Sequence, residues 1–155
     1  MNPDESLFLG FWRLRSFVRK SEANTDYPFG RTPSGLIVYG NSGLMSVQLG
    51  RNPLPGFAIE NTESFDPNLE PVYGGEGIGS SRDEVNSVFD SYLAYFGHYT
   101  IDSEAGTVIH HVEASNRPAF QKKILIRKYS FSDNLLVLSP PVTNAMSAAL
   151  VWEKV

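Results

Sequence analysis

Short runs of β-favouring residues recur along this chain, and almost every run is closed by a turn signal. Leu36-Ile37-Val38-Tyr39 and Leu44-Met45-Ser46-Val47-Gln48-Leu49 flank Asn41-Ser42-Gly43, a pattern that predicts a hairpin. Residues 107–113 return from a turn over 102–106, and residues 123–131 meet Leu135-Leu136-Val137-Leu138 across Asp133-Asn134. Residues 8–19 alternate at period two, His98-Tyr99-Thr100-Ile101 is a further short run, and residues 148–154 close the chain. Eight consecutive antiparallel strands make either a sandwich or an up-and-down barrel. Closure removes both exposed edges, and eight strands leave an interior that side chains fill or that holds one small ligand. No repeat appears at solenoid or propeller periods. The expected fold class is all-β: an eight-stranded antiparallel up-and-down barrel with one short helix, in a single domain over 1–155.

Residues 51–83 break this pattern. Pro53, Pro55, Pro67, Pro71 and the Gly74-Gly75-Glu76-Gly77-Ile78-Gly79 run exclude a regular element. Six acids stand there against two arginines, so the whole formal charge of −4 is local to this stretch. A loop of that length reads as a lid, a binding loop or a solvated insertion. Beyond it Val85, Val88, Phe89, Tyr92, Leu93 and Phe96 recur at spacings of three and four. That spacing predicts a helix over about 82–94, capped by Ser80 or Ser81 and ended by Gly97.

Composition narrows the chemistry. The chain has no cysteine, which excludes disulfides, thiolate catalysis and cysteine metal sites. Its acidic balance argues against a nucleic-acid grip. No run approaches the ~18 apolar residues of a membrane helix, and residues 1–5 lack a signal-peptide pattern. A cytoplasmic protein without nucleic-acid or membrane partners is expected. Gly75-x-Gly77-x-Gly79 has the wrong spacing and surroundings for a dinucleotide site. Neither a metal nor a cofactor is expected.

The candidates that remain are His, Tyr and Arg. His110 and His111 are adjacent, so on a strand they point to opposite faces and cannot share one metal. Val108 and Val112 share the face of His110, which favours His110 as the interior residue, either as a hydrogen-bonded core histidine or as a proton donor and acceptor. Arg127 lies between apolar neighbours Leu125, Tyr129 and Phe131. It is either an interior anchor for an oxyanion or a surface arginine on a two-sided strand. Tyr99 is its natural companion, and Tyr39 and Gln48 could add hydrogen bonds from the first hairpin.

Gly10-x-Trp12 opens the first strand. Pro33-x-Gly35-Leu36-Ile37-x-Tyr39, Gly43-x-Met45-Ser46, Tyr95-Phe96-Gly97-x-Tyr99 and Thr107-Val108-x-His110-His111-Val112-Glu113 follow. Leu135-x-Val137-Leu138 and Val151-Trp152-Glu153 come near the end. Together these residues resemble the lipocalin-like domain family, small bacterial and fungal β-barrels of the calycin kind, over about residues 7–154. The resemblance implies a barrel with a cavity and a Trp12 that closes one end. The chain departs from the lipocalin pattern on its last strand. Lys154 stands where an arginine usually covers that Trp, and lysine lacks the planar fork that stacks on an indole.

The function expected is binding of a small hydrophobic, oxygen-bearing metabolite. Trp12, Tyr39, Gln48, Tyr129 and Trp152 are the expected ligand contacts. The alternative is a cofactor-free isomerase or cyclase of a secondary-metabolite pathway, with His110 shuttling a proton while Tyr99 and Arg127 polarise oxygen. A protein-interaction module using the acidic loop is a third reading. Homo-oligomerisation is left open.

Overall fold

The computed structural model describes residues 3–52 and 82–155. The acidic loop expected over 51–83 falls almost wholly outside the described residues, and so do its roles as lid or interaction segment. Among the described residues a short helix α1 (Glu5–Phe8) leads into β1 (Gly10–Lys20), β2 (Thr25–Asp26), β3 (Ser34–Tyr39) and β4 (Leu44–Gly50). Helix α2 (Arg82–Asp90) precedes β5 (Tyr92–Asp102) and β6 (Thr107–Ser115). A 3-10 turn, Pro118–Phe120, separates these from β7 (Ile124–Ser132), β8 (Leu135–Ser139) and β9 (Ser147–Lys154). No helix among the described residues is long and apolar enough to cross a membrane.

Every strand from β3 to β9 pairs antiparallel with the next, and β1 pairs with both β3 and β9. The sheet therefore closes into an eight-stranded barrel, with β2 as one extra strand on the end of β1. Alternation does the sorting. On β4, Met45, Val47 and Leu49 are buried while Leu44, Ser46 and Gln48 face outward. On β6, Val108, His110 and Val112 are buried, as the period-two pattern requires.

Two bulges interrupt this alternation. In β1, Trp12 and Leu14 point inward, then the register shifts between Leu14 and Ser16. One extra residue reverses every side chain beyond it, so Phe17 and Arg19 become the interior residues of the second half. Arg15, at the shift, pairs with Glu153 on the outside. The second shift falls between Phe96 and Gly97 of β5, opposite Val112 to Ala114. A Cβ on Gly97 would lie 1.9 Å from His111 O, so this close approach of two backbones requires glycine.

The helix predicted over 82–94 is shorter than its spacing suggests. It ends at Asp90, and Ser91 turns the chain with its N–H and hydroxyl both donating to Ser87 O. From Tyr92 onward the chain pairs with β4, beginning Gly50↔Tyr92 and Leu49↔Leu93. Leu93 and Tyr95 are buried at period two, and that sheet pairing overrides the helical spacing. Gly97, expected as a helix stop, is the mid-strand close-approach residue.

One end of the barrel is plugged. Phe8 of α1 is fully buried and meets Tyr39, Tyr129 and Phe131 edge-on, with ring centroids 5.1, 4.9 and 5.0 Å apart. Trp12 donates from Nε1 to Phe8 O at 2.7 Å, tying the plug to the first strand. Lys154 Nζ stands 4.3 Å from the centroid of Trp12 and donates to the carbonyls of Leu7 and Leu9. The lysine thus covers the indole as a point charge anchored on backbone oxygens, without the fork of an arginine. Gly10 adopts φ +111°, a backbone that L side chains avoid, which accounts for the glycine of Gly10-x-Trp12.

Candidate functional site

Above the plug the barrel encloses a cavity of about 270 Å³. Apolar residues from β1, β3, β4, β5, β8 and β9 form its wall, including Phe17, Ile37, Val47, Leu93, Leu138 and Leu150. Phe29 and Phe120 add rings from the connections outside the strands. Among the described residues the polar lining consists of Tyr95, His110, Trp152 and three arginines, Arg19, Arg117 and Arg127. A mostly apolar hollow with a few convergent polar groups has the make-up of a small-molecule site.

His110 is the centre of the polar group. It is 1% exposed and bridges two phenols: Tyr39 Oη lies 2.7 Å from Nε2 and Tyr95 Oη lies 3.0 Å from Nδ1. Burial, the Arg127 charge and the His111 charge push the His110 pKa down to about 3, so the ring is neutral near pH 7. Burial also raises both phenols, Tyr39 well above its ordinary value and Tyr95 to about 12. A neutral imidazole carries one N–H and one bare nitrogen. Tyr39 is fully enclosed, and among the described residues His110 is the partner of its hydroxyl. Satisfying it means that Tyr39 donates to Nε2 and that Nδ1–H donates to the Tyr95 oxygen. The Tyr95 O–H then remains free to serve the cavity that Tyr95 lines.

The arginines differ in how they are satisfied. Arg19 forms an ion pair with Asp26. Arg117 Nη2 donates to Asp90 O at 2.7 Å, while its buried Nε has no acceptor among the described residues. Arg127 is partly buried on the inward face of β7 and donates from Nη1 to Ile126 O at 2.9 Å. No carboxylate pairs with Arg127 among the described residues. Burial lowers its pKa, an effect opposed by the neighbouring Tyr95 and Tyr39. Trp152 is 1% exposed, and its Nε1–H also finds no acceptor among the described residues.

Of the residues expected from the sequence, His110, Arg127 and Trp152 line this cavity, and Tyr39 supports it through His110. Tyr99 is an interior residue, but its hydroxyl donates to Gly40 O at 3.0 Å and it does not line the cavity. Tyr129 donates to Asp4 Oδ2 at 2.5 Å, and with Trp12 it belongs to the plugged end. Gln48, expected as a ligand contact, is corrected to the outer face, where its amide donates to Ser46 Oγ at 2.9 Å. Alternation on β4 gives the interior to Val47 and Leu49 instead. Tyr95, Arg117 and Arg19 join the site without having been expected there. A period-two reading of residues 93–101 finds Tyr95, whereas the bulge conceals Arg19.

Two further histidines stack on the outside. His98 and His111 lie 4.5 Å apart, with His98 Nδ1 3.6 Å from Glu113 and His111 Nε2 3.1 Å from Thr100 Oγ1. No group of three His, Cys, Asp or Glu suited to a metal occurs among the described residues.

Comparison with known proteins adds the family. A family model described as a lipocalin-like domain matches residues 9–155. No curated protein matches the chain. Among solved structures, a redesigned β-barrel is similar at a TM-score of 0.46 and 11% identity, over 100% of this chain and 97% of that one.

Proposed function

The chain belongs to the lipocalin-like domain family, and from that premise we propose that it binds a small hydrophobic, oxygen-bearing organic molecule inside the barrel. The observation that carries this reading is the cavity itself: an apolar hollow of about 270 Å³ whose polar lining converges on His110, Tyr95 and Arg127. Its volume is near the lower end of the roughly 300–1,000 Å³ seen for small-molecule pockets, which fits a compact ligand. Native mass spectrometry of the purified protein tests the reading. Wild-type protein should retain a small organic molecule that a cavity-filling Leu93→Trp variant releases. Equal retention by both proteins contradicts binding in the barrel.

One observation favours a second reading, a cofactor-free isomerase or cyclase. Tyr39, His110 and Tyr95 form an unbroken hydrogen-bonded chain that reaches the cavity beside Arg127. In such an enzyme Tyr95 would give its proton to a ligand oxygen and take the Nδ1 proton of His110, whose Nε2 takes the proton of Tyr39, so that the negative charge ends on Tyr39. Arg127 would hold the developing oxyanion. The low pKa of His110 makes it a weak base, so the chain is better suited to relaying a hydrogen bond than to storing a proton. Tyr95→Phe separates the two readings. A binder loses no more affinity than one hydrogen bond supplies, about 1–2 kcal/mol, whereas an enzyme loses turnover by about 10²-fold or more.

A further inference from the structure

We infer that the ligand is an organic anion, an apolar body carrying a single carboxylate or equivalent oxyanion, and that Arg127 holds its charge. The inference deepens the proposed binding role and rests on it. Among the described residues, the side chains that line the cavity are rich in donors and poor in acceptors. Arg127 lines it without a carboxylate partner among the described residues. Trp152 lines it with a buried Nε1–H that has no acceptor among them. The hydrogen bonding of His110 leaves the Tyr95 O–H free as a third donor. Arg19 is already neutralised by Asp26, whereas Arg117 also lines the cavity without a carboxylate partner among the described residues and adds a second positive charge that favours an anion. Among the described residues no Asp or Glu lines the cavity, which disfavours a cationic ligand.

Charge balance separates an anion from a neutral carbonyl compound. A carbonyl would satisfy one or two N–H groups but leave the guanidinium uncompensated as the ligand displaces water around it. Desolvating an unpaired charge is costly, whereas a carboxylate matches the planar fork with two parallel hydrogen bonds. The Trp152 Nε1–H and Tyr95 O–H add to the need for acceptors, and each oxygen of a carboxylate accepts more than one bond. Among the described residues the apolar wall is Phe, Leu, Ile, Val and Pro, which suits a hydrocarbon or aromatic body.

Matched ligand pairs test this. Octanoate with octanamide, and 2-naphthoate with 2-naphthamide, are titrated calorimetrically into the full-length protein near neutral pH. Each carboxylate should bind roughly tenfold or more tighter than its amide, the scale of a charge-assisted hydrogen bond. Arg127→Gln should lower that ratio at least threefold, Arg117 keeping a remainder, while amide affinity holds within about threefold. Arg127→Lys keeps the charge without the fork and should retain part of the preference. If Arg127→Gln loses the folded circular dichroism spectrum, the Arg127→Lys ratio decides, and an unchanged ratio overturns the assignment to Arg127. Amides that bind as tightly as carboxylates overturn the anion inference and leave the cavity reading intact. Binding by neither member of either pair overturns both.

Discussion

A histidine enclosed between two phenols stays neutral without cost until the pH falls. The folded pKa of His110 is about 3, and an unfolded histidine titrates near 6.5. Below that value the unfolded chain takes up a proton that the folded protein refuses, so stability falls as the pH drops. The sensitivity should approach about 1.4 kcal/mol per pH unit between about pH 6 and 5 and persist toward the folded pKa. Asp4 and Glu153, whose pKa values are lowered by hydrogen bonds from Tyr129 and Arg15, add their own losses only at lower pH. Urea unfolding at pH 6 and pH 5 measures the slope, and His110→Gln should abolish it. His110→Phe should cost about 2–5 kcal/mol, because two buried hydroxyls lose their partner. The inward setting of His110 is legible from Val108 and Val112 beside it. Its two tyrosine partners are not: Tyr95 lies on the adjacent β5 beyond the register shift, and Tyr39 reaches His110 across the interior from β3. At the plugged end a single lysine covers Trp12. Lys154→Met should lower stability by about 1–2 kcal/mol through loss of the cation–π contact and the bonds to Leu7 and Leu9, and Lys154→Arg should restore most of it. Thermal unfolding of the three proteins provides the check. The sequence marks Lys154 as a departure from the lipocalin pattern. Its compensating hold on two backbone carbonyls depends on α1, which has no periodic signal of its own in four residues.

Elements in this barrel follow alternation wherever the ladder is regular and depart from it at the bulges. β4 and β8 keep one parity along their paired stretches, as does β6 up to Val112, and period two alone identifies their interior residues there. β1 changes parity at Arg15, so Phe17 and Arg19 enter the cavity on what the sequence alone presents as the opposite face. The stretch from Val85 to Phe96 mixes a helical spacing with a strand spacing, and pairing with β4 decides the boundary at Ser91. Gly97 is a sensitive position of the β5–β6 pair. Gly97→Ala should destabilise the protein by about 2 kcal/mol or more, since the 1.9 Å approach to His111 O forces two backbones apart. Hydrogen exchange at His98, Tyr99, His111 and Val112 should accelerate in that variant, while the β8–β9 ladder keeps its protection.

Closure of β1 onto β9 turns strands of ordinary alternation into one enclosed interior with two unlike ends. The plugged end is filled by Phe8, Trp12, Tyr129 and Phe131, where edge-on rings leave little space. The other part of the interior keeps its hollow around His110, Arg127 and Trp152. The barrel strands and their order are legible because turn signals punctuate the chain. The division of the interior is not, because it depends on bulges, on a four-residue helix and on which acceptor each hydroxyl captures. Tyr99 and Tyr39 illustrate this: their rings lie 4.9 Å apart, yet one hydroxyl serves Gly40 O and the other serves His110. Binding in the hollow is the central claim, and nuclear magnetic resonance shift mapping with 2-naphthoate tests it most directly. Saturable shifts should concentrate on Leu93, Tyr95, His110, Leu138 and the Trp152 indole N–H, with Gln48 and Ile124 on the outer face unmoved. Shifts confined to the outer face, or none at any of these residues, would contradict it.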